Sequence, residues 1–150
     1  MLKKKKLKAK IIQGDMINLP YENNFFDAIV DIFSSCHLTS DQGIDFLDIC
    51  NQKLKKNGLF FSYFPSKKSK MFKNSKNIFL DKNTIYNNMK IKTVYKINNF
   101  PFRFLSKVDY FKILEKKNFK INYSEELTKT YFNGEDYFTF NVIEAKKVSK

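Results

Sequence analysis

Apolar residues fall along the chain in two rhythms, and the switching between them predicts an α/β domain. Residues 9–14, Ala-Lys-Ile-Ile-Gln-Gly, read as a short strand ending at Gly14-Asp15, with turn chemistry after it at Asn18, Pro20 and Asn23-Asn24. Residues 25–33, Phe-Phe-Asp-Ala-Ile-Val-Asp-Ile-Phe, are almost continuously apolar, the pattern of a strand buried on both faces. A helix follows. Thr39 and Gln42 have the spacing of a capping box, Asp41 suits the positive end of a helix, and Ile44, Leu47, Cys50 and Leu54 recur at three- and four-residue intervals. Lys53, Lys55 and Lys56 crowd its end, and Asn57-Gly58 is the expected stop. Leu59 to Phe64 reads as the next buried strand, closed by Pro65-Ser66, so 9–66 is expected to carry a βαβ unit.

The pattern loosens from Lys67 onward, where Lys and Asn surround scattered apolar positions such as Met71, Phe72, Ile85 and Met89. Residues 67–104 are expected to form an irregular insertion with one or two short helices, either a substrate lid or a segment packed on the sheet. Ser106 is a candidate cap for a helix with Val108, Phe111 and Leu114 on one face, ending near Asn118. Phe119, Ile121 and Tyr123, then Phe138, Phe140 and Val142, alternate on either side of an Asn133-Gly134 turn signal. That predicts an antiparallel strand pair within 105–150. Residues 1–150 are therefore expected to be one domain, without internal repeats.

Composition narrows the chemistry. With 43% hydrophobic and 17% aromatic residues the chain has ample material for a core. The formal net charge is +13, and of the 28 basic residues all but Arg103 are lysine. Lysine is a hydrated point charge without the planar fork that reads phosphate and guanine, so the surplus argues for non-specific attraction to anions and against nucleic-acid readout. The accompanying abundance of Asn, Ile and Phe fits a bias in base composition. Cys36, Cys50 and the single histidine, His37, form no ligand spacing, so neither a metal site nor a disulfide framework is expected. No apolar run approaches the length of a signal peptide core or of a membrane span, and the expected location is the cytoplasm.

Three stretches in order resemble the second half of a class I S-adenosylmethionine-dependent methyltransferase. Gly14-Asp15-Met16-Ile17-Asn18-Leu19-Pro20-Tyr21 is similar to the end of that family's third strand; Phe26 to Leu38 is similar to its fourth strand and following loop; Leu54-Lys55-Lys56-Asn57-Gly58-Leu59-Phe60-Phe61 is similar to a helix end, glycine turn and fifth strand. Within the family the chain resembles the small-molecule methyltransferases that include quinone-biosynthesis enzymes. The resemblance implies a partial Rossmann-like sheet, mostly parallel with a C-terminal antiparallel pair, that binds S-adenosylmethionine at the carboxyl ends of its strands and transfers a methyl group to a small-molecule acceptor. It puts Asp15 near the adenine amine, with Met16 beside the ring, though Asp15 could simply start a turn. It puts Asp31 and Ile32 along the methionine part of the cofactor, though Asp31 could equally accept local backbone N–H groups. His37 is read as structural, and the resemblance identifies no catalytic residue.

The family's glycine-rich turn and the acidic residue that holds the ribose are not in this sequence, whose four glycines, Gly14, Gly43, Gly58 and Gly134, are too far apart for GxGxG. Met1 to Lys8 look like the last turns of the helix before the third strand, so the chain is expected to be an incomplete domain. In the family's sheet the first two strands lie between the third and fourth. Without them, strand 26–33 is expected to keep one bare edge. Either strand 9–14 moves across to pair with it, a second copy or a separate N-terminal half covers it, or the chain is a non-catalytic remnant or partner subunit.

Overall fold

The computed structural model describes residues 8–74, 76–87, 93–95 and 98–148. The reading of Met1 to Lys8 as helix, except for Lys8 itself, and the apolar position Met89 lie outside them. Phe26–Ile32 forms β1, a short 3-10 turn follows at Ser35–His37, and Ser40–Lys53 forms α1. Leu54–Pro65 is β2; Ile78–Asp81, Thr84–Asn87 and Asn98–Arg103 are β3, β4 and β5; Lys107–Lys116 is α2; Phe119–Tyr131 and Asp136–Lys147 are β6 and β7. The main sheet has the order β1-β2-β7-β6, and β3-β4-β5 form a second, antiparallel sheet.

The βαβ unit is present: β1 and β2 pair in parallel, with Val30 opposite Phe61 and Ile32 opposite Tyr63. The α1 capping box forms as expected, the Thr39 hydroxyl receiving the Gln42 N–H and the Gln42 side chain receiving the Thr39 N–H. Ser106 caps α2 by accepting from the Asp109 N–H at 3.1 Å. The C-terminal antiparallel pair is also found, turning through Asn133 and Gly134 at positive φ. However, β7 is antiparallel to both of its neighbours. The main sheet thus has one parallel pair, and the expectation of a mostly parallel sheet is corrected.

Four further expectations change. Residues 9–14 form no strand, because no neighbouring strand among the described residues lies alongside to complete their hydrogen bonds; Ile11 is 92% and Ile12 40% exposed. β1 is buried on one face only, with Val30 61% and Ile32 58% exposed. α1 ends at Lys53, and Asn57-Gly58 sit in an irregular stretch inside β2, where Phe26 faces Leu54 but Ala28 already faces Leu59. Residues 67–104 contain a three-stranded sheet and, among the described residues, no α-helix.

Alternation along the strands explains the layering. Phe60, Ser62 and Phe64 of β2, with Ile143 and Ala145 of β7, face the helices. Phe46 of α1 meets Phe60 edge-on, and buried Tyr110 of α2 tilts against Phe64 while donating its hydroxyl to Ser62 at 2.8 Å. Leu47, Cys50 and Leu114 complete this layer, whereas Val108 is 61% exposed and takes no part in the α2 apolar face. The opposite face of β1 and β2 carries Val30, Ile32, Phe61 and Tyr63, none of them buried. A parallel pair ordinarily needs cover on both sides. No helix among the described residues is long and apolar enough to cross a membrane.

The second sheet is docked on the main core rather than suspended over it. Met71, Ile85, Phe102, Phe104 and Leu105 belong to the same buried cluster as the helices. Asp81 fastens the β3–β4 turn to the start of α1, accepting the Ser40 N–H at 3.1 Å and hydroxyl at 2.8 Å, the Asn83 N–H at 2.8 Å and the Thr84 hydroxyl at 2.8 Å. Burial opposes ionisation of this carboxylate, but the four donors outweigh it and bring its pKa from 3.8 to about 2. A depressed carboxylate pKa adds stability that is complete above the ordinary value and disappears as pH falls through the folded one. Thermal melts should therefore show stability falling between pH 3.8 and about 2. Asp81→Asn should be less stable at neutral pH and fall less steeply across that window; an unchanged acid slope would remove this role for Asp81.

Candidate functional site

In open α/β sheets, ligands bind beyond the carboxyl ends of the strands. Here that edge is formed by the end of β1, the adjoining end of β2, and the loop entering α1. Asp31 and Ile32 close β1, while Asp15 and Met16 lie in the turn that precedes it. Both carboxylates already have local work. Asp15 Oδ1 accepts the Ile17 N–H at 3.0 Å, so Asp15 does start a turn, and among the described residues no hydrogen bond engages its Oδ2 in this exposed position. Met16 is half-buried against the core.

Asp31 is buried, and its Oδ1 accepts the N–H groups of Ser34 and Ser35 at 3.3 and 3.0 Å while Oδ2 receives the Ser35 hydroxyl. The local hydrogen bonds of the second reading are present. The side chain shapes the loop, while neighbouring Ile32 presents its exposed flank. Phe33, next in line, has φ of 59°, a left-handed conformation costly for a bulky residue. Its ring is held among Tyr95, Phe102, Phe138 and Phe140 at centroid distances of 5.0–6.0 Å, which offsets that strain. Tyr63 stacks on Phe140 at 4.5 Å and extends this aromatic floor along the end of β2.

Burial, with help from neighbouring Tyr131, pushes the Tyr95 phenol up to about 12, so it stays protonated at neutral pH. Burial likewise lifts the Cys36 thiol to about 12 and raises Cys50, making both poor nucleophiles. His37 Nδ1 lies 3.1 Å from the Pro101 carbonyl, tying β5 to the loop.

Arg103 escaped notice as a functional candidate, although being the sole arginine was a signal in the composition. It is 4% exposed, donates from Nη2 to the Ser35 carbonyl at 3.1 Å, and lies over the Phe64 ring at 5.0 Å. Its partner in packing is Gly43. A Cβ placed there would stand 1.7 Å from Arg103 Nη1. Alanine is ordinarily better than glycine in a helix by about 1 kcal/mol. At this site the order should invert: Gly43→Ala is expected to destabilise the chain by about 1–3 kcal/mol, because the guanidinium must leave its bond to the Ser35 carbonyl and its place over Phe64. Denaturant unfolding of the variant tests this, and an unchanged or raised midpoint would contradict the packing.

Residues 1–62 match the family described as a methyltransferase domain. No curated protein matches the chain. Among solved structures it is similar to a SAM-dependent methyltransferase from Methanosarcina mazei, at 13% identity and TM-score 0.71 over 91% of this chain and 66% of that one. It is also similar to the Burkholderia thailandensis 1,6-didemethyltoxoflavin-N1-methyltransferase, solved with 1,6-didemethyltoxoflavin and S-adenosylhomocysteine, at 15% identity and TM-score 0.63 over 92% and 50%. The [4+2]-cyclase SpnF matches at 12% identity and TM-score 0.66 over 99% and 60%. The chain thus spans about half to two thirds of the length of these neighbours. The chain carries the class I S-adenosylmethionine-dependent methyltransferase fold, as the resemblance of its motifs implied.

Proposed function

We propose that this chain provides one wall of an S-adenosylmethionine site and acts in methyl transfer to a small-molecule acceptor, with the opposite wall supplied by a separate N-terminal half or by a second copy. The observation that carries this reading is the coincidence of the family match over residues 1–62 with a β1 edge that no strand among the described residues covers, beside the candidate ligand edge. The residues present fit the cofactor in part. Asp15, exposed and with Oδ2 unengaged among the described residues, suits an exocyclic amine; Met16 offers an apolar flank; Ile32 borders the end of β1. Asp31 acts as a positioning residue, since its oxygens are taken by the Ser34–Ser35 loop. Nothing in the sequence replaces the glycine-rich turn or the ribose-binding carboxylate.

The cofactor would supply a methyl group on a good leaving group, so the chemistry asks the protein mainly to align donor and acceptor and exclude water. The aromatic floor of Phe33, Tyr63 and Phe140 suits an apolar or aromatic acceptor above the strand ends. A non-catalytic role as remnant or partner subunit is the competing reading, favoured by the local engagement of Asp31 and by the fold's use in a cyclase.

Calorimetric titration with S-adenosylmethionine separates the two. The chain alone is expected to bind weakly, and a version extended at its N-terminus by a GxGxG strand and turn is expected to bind at least about tenfold more tightly, a difference of about 1.4 kcal/mol. Equal binding by both would remove the need for a second wall. Binding by neither would remove the enzyme reading.

A further inference from the structure

We infer that the cleft between α1 and α2, roofed by the β3–β4 turn, is a binding site for a small molecule carrying two phosphoryl groups. The cleft measures about 540 Å³, within the usual range of small-molecule sites. Lys67, Lys82, Arg103, Lys112 and Lys116 line it. Against these five cations stand two carboxylates, Asp41 and Asp109, leaving a surplus of three positive charges. Asp109 is engaged by the Ser106 hydroxyl at 2.7 Å, and Asp41 sits in the first turn of α1, where the helix's own positive end favours it. Lys82, Lys112 and Lys116 make no ion pair among the described residues, and Lys67 leans over the Phe72 ring.

Surface lysines are common in so basic a chain, and the distinguishing feature is Arg103 beneath them. It is more than nine-tenths buried, its Nε has no hydrogen-bond partner among the described residues, and its bond to Ser35 is to a neutral carbonyl. The carboxylates that temper its charge, Asp31 and Asp81, are each occupied by hydroxyl and N–H donors. A buried cation without a contacting anion costs several kcal/mol, and an anion entering the cleft relieves that cost.

Four of the five cations are lysines, point charges on flexible stems without a fixed fork, so the number of positive charges decides what the cleft balances. One phosphate ester carries about −1.5 to −2 at neutral pH, so two phosphoryl groups balance the surplus better than one. S-adenosylmethionine bears a cationic sulfonium and amine, which this cleft disfavours. The inference therefore stands independently of the methyl-transfer reading.

Sodium pyrophosphate titrated calorimetrically at low and high salt tests it, with citrate as a carboxylate of comparable charge. Saturable one-site binding is expected, tighter than that of citrate. It should weaken about tenfold or more in Lys112→Ala/Lys116→Ala, whose exposed positions leave folding intact, and stay within about twofold in Lys56→Ala/Lys120→Ala, which removes equal charge elsewhere. Absence of saturable binding, equal weakening by both double variants, or citrate binding as tightly as pyrophosphate would each overturn the assignment.

Discussion

The pairing of β2 on both sides is the constraint from which the rest of this molecule follows. β1 lies parallel on one side and β7 antiparallel on the other, and the alternation of Phe60, Ser62 and Phe64 sends one face of that trio toward both helices. Once α1 and α2 occupy the same face, Tyr95 and Phe102 cover the other face only at its Phe138–Phe140 end, and Val30, Ile32 and the outer edge of β1 stay exposed within the described residues. Water can satisfy the exposed N–H and C=O groups, so the arrangement carries no large unpaired-polar penalty. It does leave a template for another strand flanked by Val30 and Ile32, a combination that folded proteins ordinarily screen.

The polar interior is organised around the entrance to α1. Asp31 gathers Ser34 and Ser35, Arg103 takes the Ser35 carbonyl, and Asp81 holds Ser40. These contacts connect the end of β1, the second sheet and the helix start through short hydrogen bonds. They also explain why residues 67–104 pack as part of the body: their attachment is polar at Asp81 and apolar at Ile85, Phe102 and Phe104. The ligand edge and the basic cleft meet at this knot from opposite sides, with Arg103 belonging to both neighbourhoods.

Local chemistry was legible in the sequence wherever a short-range rule decides the outcome. The Thr39–Gln42 box, the Ser106 cap and the Asn133-Gly134 reversal depend on neighbours three or four residues away, and all formed. What depends on distant pairing was not legible. Residues 9–14 have strand composition but no ladder to join, and the apolar run of β1 cannot reveal that a layer is absent on one side. In 67–104, lysine and asparagine obscured the alternation of three short strands. Asparagine misled in another way too: Asn57 adopts φ of 65° inside β2, where it resembled a helix stop, and Asn24, Asn99 and Asn118 take similar left-handed turns that glycine often fills. At the candidate site, residue identities suggested Asp15 and Asp31, but only the hydrogen bonds reveal that Asp31 also binds its own loop.

Amide hydrogen exchange in dilute, monomeric protein addresses the bare edge most directly. The account predicts that within Phe26–Ile32 the amides bonded to β2 are protected while the alternate, outward ones exchange at nearly unprotected rates, with β2 protected along Phe60–Phe64. Uniform protection along β1 under those conditions would mean that the chain covers its own edge, and would contradict the account.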